Sequence, residues 1–507
     1  MPAPIRVLLL ATALAGVLAF EQADAQASPY ISLDDPRLPL LEHLITRGAI
    51  EDPSPMVRPF RRADAARVLA AAEISAEDRP GTLTLIEHLR QEFEDPAGNR
   101  WELHGRVGAQ AYTHPRREVL HPAGGSGARP YADLSGTATF GGVVLASRPA
   151  VEPRLVDDPD WTGRRELTVA GRIVDAYISG QFKYGSLFYG QMDRNWGPVG
   201  LPGIPLSNYG YERQGLAFDV GNRDIRLSAL ASDLQAEVDS LGRTVHRYYF
   251  VHRLDARLSR RFSLALWEGV VLGGADRGFE TRFRNPLSFS YLANTIGLGD
   301  RGNVILGADI RWQALGRTTL EAQLAIDDIQ YRNRSGPTRY PQRWALTLGA
   351  QGPVGRELGW RALYTQASSL AFRTFNRFEN FTDGGVGLGR NFADMDQLSL
   401  SVSLPVAQSW LVTPGLTLLR QGEGRIEDPF PATPLEAGQT PQLFIGVVER
   451  TYRAAVGVSG RSGPLDLVAD LGFHHVVNSA HQDGRVTNRF EGRLQMTLGL
   501  SRRGALR

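Results

Sequence analysis

No cysteine occurs among the 507 residues, which excludes disulfides and thiolate metal sites but leaves the compartment open. Lysine is almost absent as well: Lys183 is the only one, so 55 of the 56 basic residues are arginine. A bias in genome composition explains that more simply than 55 functional guanidinium groups would. Charge of one sign is lacking too. The formal net charge is +2, so nothing argues for nucleic acid, and none is expected as a partner. After residue 26 no run of about 18 consecutive apolar residues exists, which excludes helical membrane spans.

What is present points to strands. The chain carries 55 glycines and 30 prolines, a composition of many turns and few long helices. Its length would ordinarily suggest several domains, yet large barrels reach it as one. The N-terminus reads as a secretory signal peptide over residues 1–25. Arg6 precedes an apolar run from Val7 to Phe20, and Ala23-Asp24-Ala25 forms a small-x-small cleavage site before Gln26. The run is short for an anchor spanning about 20 residues, and no cysteine follows for lipid attachment. An exported chain without helical spans is either soluble or a membrane β-barrel.

Residues 26–97 read as a small helical bundle. Leu38, Leu41, Leu44 and Ile45 recur at helical spacing up to Gly48. A second, alanine-rich helix runs from Phe60 to Ala72, and a third from Leu83 to Phe93 with Leu85, Ile86 and Leu89 on one face. Each is marginal alone and must pack against something.

From Trp101 the period changes to two. Leu398, Leu400, Val402 and Leu404 alternate with Gln397, Ser399, Ser401 and Ser403. Leu320, Ala322, Leu324 and Ile326 alternate with Glu321, Gln323, Ala325 and Asp327, and the same pattern recurs from Phe490 to Leu500. Strands of this length, with Tyr177, Tyr184, Trp312, Trp344, Trp360 and Trp410 set down as interface aromatics, predict an all-β fold: a large antiparallel transmembrane β-barrel over residues 98–507. About 400 residues at roughly 20–25 per strand and connection give roughly 16–18 strands.

Enzyme signatures are weak. Gly297 to Gly302 fits G-x-G-x-x-G but lacks strand–turn–helix context. His474 and His475 are neighbours on a strand and face opposite ways, as do Asp327 and Asp328; the simpler reading of Asp327 is a lumen salt bridge. Neither H-E-x-x-H nor G-x-S-x-G occurs. No catalytic residue, cofactor or metal is expected, a barrel hydrolase being the weakest reading. Sugar binding suits the chain better, since aromatic faces take C–H surfaces and guanidinium forks take acidic sugars. Arg282 and Arg284, with Arg373 and Arg377, stand in loops of that composition. Asp193, Arg194 and Trp196 lie where a strand from Tyr184 runs into a segment stiffened by Pro198, Pro202 and Pro205. These seven are the candidate polysaccharide-binding or lumen-plug residues. Arginines also line porin lumens, so a diffusion channel is the alternative.

Several motifs, in order, resemble the Wzi family of outer-membrane capsule-assembly proteins. They are Asp193-Arg194-Asn195-Trp196-Gly197-Pro198 with Leu206-Ser207-Asn208, then His252-Arg253-Leu254, Trp267-Glu268-Gly269, Asn285-Pro286-Leu287 and Ala325 to Gln330. Gly48-Ala49-Ile50 and Arg58-Pro59-Phe60 match in the helical region. The resemblance spans the mature chain. It implies a lectin-like barrel in the outer membrane, capped on its periplasmic side by the helical bundle, that retains capsular or exopolysaccharide at the cell surface and carries no catalytic residue. Contact with outer-membrane lipid and a monomeric state are expected beside it. One departure is the C-terminus, where Ser501 to Arg507 follow Leu500 in place of a terminal aromatic.

Overall fold

The computed structural model describes residues 26–72, 80–275, 277, 280, 283, 285–293, 302–328 and 341–506. The expected signal peptide, the glycine motif from Gly297 to Arg301, and Arg282 and Arg284 lie outside the described residues.

Eighteen strands close into one antiparallel barrel. They are β1 (Arg100–Tyr112), β2 (Gly127–Phe140), β3 (Val143–Val151), β4 (Gly171–Phe182), β5 (Gly185–Met192) and β6 (Arg213–Gly221). Next come β7 (Ile225–Val238), β8 (Thr244–Ser259), β9 (Phe262–Gly274), β10 (Asn303–Gln313), β11 (Thr319–Asp328) and β12 (Arg343–Val354). The last are β13 (Leu358–Ala367), β14 (Met395–Val406), β15 (Trp410–Gln421), β16 (Glu449–Ser462), β17 (Leu465–Val477) and β18 (Val486–Ala505). Each pairs with its neighbours in sequence, and β1 closes on β18 from Arg100 opposite Ala505 to Tyr112 opposite Arg493. Closure leaves no free edge, as a sheet in lipid requires.

The two faces follow the sequence pattern. Leu320 and Leu324 on β11, Leu398 and Leu400 on β14, and Leu498 and Leu500 on β18 point outward and are exposed, while Glu321, Gln323 and Thr497 are buried inside. A single-residue register slip would send every such leucine into the lumen, so the pattern fixes the register. Tyr184 and Trp312 are exposed at strand ends, as interface aromatics should be. Tyr177 is different. It is buried inside the barrel, its ring 5.2 Å from Phe188 and 5.8 Å from Tyr30. Period two cannot separate an inward aromatic from an outward one when both flanks are mixed.

The two ends differ. Gly141-Gly142, Lys183-Tyr184 and Pro464 with Gly463 make two-residue turns at one end, whereas 152–170, 193–212, 368–394 and 422–448 are long connections at the other. Three helices occupy the short-turn end: α1 (Leu38–Thr46), α2 (Arg62–Ala70) and α3 (Pro80–Glu92). Helix α1 opens with Pro39 in its first turn and stops at Gly48, whose φ of 65° is a left-handed cap that glycine takes without a Cβ clash. Leu41, Leu44, Ala65, Leu69, Leu85 and Leu89 form one core, which reaches Leu411 on the inner face of β15. At roughly 1.5–3 kcal/mol for each large side chain buried, this core supplies what three short helices lack alone.

Candidate functional site

The lobe enters the barrel through its N-terminal arm. The Gln181 side chain on β4 brackets Ser28, accepting from its N–H at 2.9 Å and donating to its carbonyl at 2.8 Å. Tyr30 N–H donates to the Tyr177 hydroxyl at 3.1 Å. Arg58, 3% exposed, pairs with Glu42 at 2.6 Å and Asp52 at 3.2 Å, knitting α1 to the strap after it. His43 meets Ser403 of β14 at 2.7 Å, and Glu51 pairs with Arg223 and Arg257 on the rim.

From the opposite end, segment 193–212 leaves β5 and folds back inside. Trp196 is 3% exposed, in the main lumen core with Ile204, Leu206, Tyr249 and Trp267. Its backbone pairs antiparallel with Val57, and Asn195 pairs with Arg58, so the segment and the helical lobe join inside the barrel. The Asn195 side chain closes the tip, donating to Leu201 O at 3.2 Å and accepting from Gly203 N–H at 2.6 Å. Gln323 of β11 then fixes the segment to the wall. Its amide donates to Trp196 O at 2.9 Å and accepts from Ile204 N–H at 2.8 Å, while a 3.1 Å bond to Asp309 orients it.

A second long connection, 368–394, packs onto the first. Ser207 N–H donates to Leu388 O at 3.0 Å, and its hydroxyl to Gly389 O at 2.6 Å. Gly389 comes so close that a Cβ would sit 1.9 Å from Ile204 O, a contact that only glycine allows. Arg247 on β8, 1% exposed, donates to the carbonyls of Phe378, Asn380 and Thr382 at 2.7–3.0 Å and holds that connection down.

The seven sequence candidates therefore separate. Asp193 pairs with Arg117 at 3.2 Å. Burial, reinforced by the nearby Glu212 carboxylate, outweighs Arg117 and pushes the Asp193 carboxyl up to about 7. Arg194 is half-buried over the Phe188 ring, 4.6 Å from its centroid, with Nη2 unpartnered. These two and Trp196 belong to the plug. Arg373 is placed otherwise than expected for a sugar contact: it is 3% exposed and donates to Asp428 O at 3.1 Å and to Pro429 O, tying two long connections together. Arg377 is exposed, 4.8 Å over the Phe378 ring. Nearby Phe375, 67% exposed, lies 4.4 Å from the Phe430 ring, over which Arg343 sits at 5.5 Å. Arg282 and Arg284 lie outside the described residues.

Asp327 accepts from Phe372 N–H at 2.9 Å and lies 3.6 Å from Arg343, the lumen bridge expected of it. His474 is buried and His475 exposed on opposite faces of β17. Among the described residues no three metal-ligating side chains gather. Sequence reasoning missed Gln323, Arg247 and Arg390 as lumen residues. Gln323 was visible as a polar residue in inward register; Arg390 sits in a glycine-rich connection that carries no period.

No family model and no curated protein matches the sequence. Among solved structures, Wzi of Escherichia coli, described as an outer membrane protein involved in group 1 capsule assembly and a carbohydrate-binding β-barrel, aligns with a TM-score of 0.64 at 14% identity. The alignment covers 94% of this chain and 100% of that one. OprD of Pseudomonas aeruginosa (TM-score 0.43, 10% identity, 80% of this chain and 97% of that one) and OccAB4 of Acinetobacter baumannii (0.44, 10%, 80% and 99%) are more distant. At these identities the likeness to Wzi establishes the fold alone: a closed outer-membrane β-barrel of 18 strands.

Proposed function

We propose that the protein is a non-catalytic, monomeric outer-membrane barrel of the Wzi kind that holds capsular or exopolysaccharide at the cell surface. The long connections face outward, and the helical lobe lies in the periplasm. The observation that carries this reading is the join between Trp196 and Val57, where segments from opposite ends meet inside the barrel. A lumen bridged in this way serves a surface better than it serves a flow of solute. The outer rim then offers suitable chemistry in Phe375, Phe430, Arg343 and Arg377, aromatic faces beside planar guanidinium donors. The ordered motifs and the shared architecture with Wzi support the same reading. Deleting the gene in a polymer-producing host should leave polymer synthesised but shed into the medium, with Phe375→Ala and Arg377→Ala giving partial shedding. Unchanged cell-bound polymer in the deletion strain refutes the reading.

One observation favours the second reading, a diffusion channel: unfilled space flanks the plug along β13–β16. Planar-bilayer recording separates the two, since stable steps of porin size belong to a channel and silence to a plugged barrel.

A further inference from the structure

The inward register lines one side of the lumen with large side chains and the other with small ones. The wall of β4, β5, β8 and β9 presents Tyr177, Phe188, Tyr249 and Trp267, all buried against the plug or the N-terminal arm. Across the barrel, β14 and β15 present Ser399, Ser401, Thr413, Gly415 and Thr417. These side chains are too small to reach the plug. Two spaces flank the plug here, about 420 Å³ toward the long-loop end and about 510 Å³ toward the helical lobe, besides others of about 310 and 400 Å³ beside the N-terminal arm, where Arg253 and Arg148 are paired with carboxylates. The first two are both bounded by Gly200, Leu201, Pro202, Arg361, Ser401 and Thr413, so they meet where the plug tip passes the wall. Each is the size of a small-molecule site.

The charges around this space do not balance. Its carboxylates are engaged: Asp470 by Arg453 at 2.6 Å, Glu42 by Arg58, and Glu118 by His121 and two backbone N–H groups. Burial opposes the charged form of Glu118, but the His121 ring and these hydrogen bonds outweigh it and hold the carboxyl at about 2. Three arginines, by contrast, have no carboxylate in ion-pairing range among the described residues. Arg390 is 7% exposed; its Nη2 donates to Thr347 Oγ1 at 2.6 Å and its Nε has no partner. Arg361 has only neutral partners, Gln351 Oε1 at 3.0 Å and Thr46 Oγ1 at 2.7 Å, which leaves Nη1 beside the plug tip. Arg493 donates to the Arg117 carbonyl at 2.7 Å. Burial alone pushes the Arg390 guanidinium down, to about 9, so it remains a cation at neutral pH. A buried, uncompensated cation is costly, and at Arg58 and Arg253 in this lumen carboxylates remove that cost.

We propose that the space between the plug and β13–β16 binds a small carboxylate-bearing sugar, a uronate, with its carboxylate on Arg390 and Arg361 and its hydroxyls toward Ser399, Ser401 and Thr413. Two guanidinium forks supply the planar donors a carboxylate matches, and the serine and threonine hydroxyls suit a polyol. The site does not depend on the outer rim. The uronate arrives either as a free monosaccharide or as the end of a polymer chain.

Titration calorimetry on the full-length protein in detergent tests this, with glucuronate, glucose and acetate as probes. Glucuronate should bind, glucose should not, and acetate should bind more weakly than glucuronate. Arg390→Gln and Arg361→Gln should each weaken glucuronate roughly tenfold or more, the loss expected for a charge-assisted bond. Arg390→Lys retains the charge without the fork and should give an intermediate loss. Ser401→Leu fills the space without altering charge and should abolish binding. Phe375→Ala on the rim should leave glucuronate binding intact, so polymer retention can fail while this site stands. Competition by the polymer identifies a chain end as the ligand, and its absence identifies the free acid. Glucose binding as well as glucuronate, no glucuronate binding, or full affinity in both glutamine variants overturns the proposal.

Discussion

Gln323→Leu is the sharpest test of the plug. The side chain has no exposed surface, and its single amide satisfies Trp196 O and Ile204 N–H, two backbone groups far away in sequence. Leucine has nearly the same bulk, so packing is kept while both partners are orphaned in a dry interior. An orphaned buried polar group costs about 1–3 kcal/mol, so the pair costs about 2–6 kcal/mol. Asp309 also loses a 3.1 Å bond but keeps Arg253 and the Trp267 indole N–H, so the wall should hold. At 1.4 kcal/mol per tenfold, the population with the plug detached rises from about 30-fold to about 10⁴-fold. Native-state hydrogen exchange reads this directly. Protection across 196–206 should fall by that factor, while amides of β1–β3 and β16–β18 keep theirs. Gln323→Glu should also loosen the segment at neutral pH, because it sets a carboxylate against Trp196 O and Asp309, and acid should partly restore it. If Ile204 keeps its protection in Gln323→Leu, the side chain is not what holds the plug and the reasoning fails.

Trp196→Ala empties the junction between plug and lobe, where the indole is 3% exposed; truncation there should cost about 3–5 kcal/mol and raise bilayer conductance from silence to intermittent opening. Asp193, raised to about 7 by burial, stays protonated in the folded plug at pH values where the unfolded segment is already ionised. The folded state therefore holds the extra proton from about pH 4 to about pH 7, and plug stability should fall as pH rises through that window. Leak measured at pH 5 and pH 8 should be greater at pH 8, and Asp193→Asn should flatten the difference. Arg58→Ala leaves Glu42 and Asp52 buried without their cation, a change worth about 3–5 kcal/mol, and should make residues 26–72 protease-sensitive while the barrel stays folded.

Strands were legible because lipid is a uniform solvent. Every outward position on β11, β14 and β18 meets the same demand, so Leu320, Leu398 and Leu498 recur at period two. Helices α1 to α3 were legible for the same kind of reason, each presenting a leucine stripe to one small core. The lumen imposes no uniform demand. Tyr177 faces inward because the N-terminal arm lies there, and Ser401 faces inward because nothing does. Both depend on what fills the barrel locally, which is decided by segments more than 100 residues away in some cases, as with Gln181 and Ser28. Arg373 and Arg377 show the limit within a single loop. Composition made them equivalent, but one is spent on the carbonyls of Asp428 and Pro429 and the other stands exposed over Phe378.

The nearly lysine-free composition sharpens the reading of the lumen. Whatever biased the genome toward arginine, the fold puts the guanidinium group to uses an ammonium serves less well. Arg247 spans three carbonyls with one planar head, and Arg58 divides itself between Glu42 and Asp52. Arg253 likewise serves Asp255 and Asp309. Because guanidinium groups are matched this closely through the barrel, an unmatched one carries information that it would lack in a loosely paired, lysine-rich lumen. Arg361, Arg390 and Arg493 are unmatched, and all three border the one side of the plug where the wall is built from small hydroxyl residues. Two independent features, vacant volume and surplus cation, thus coincide on β13–β16. Arg194 is unpaired as well, but it stacks on the Phe188 ring across the lumen; what sets this side apart is three unpaired guanidiniums around adjoining spaces lined by hydroxyls, as a site for a carboxylate-bearing polyol requires.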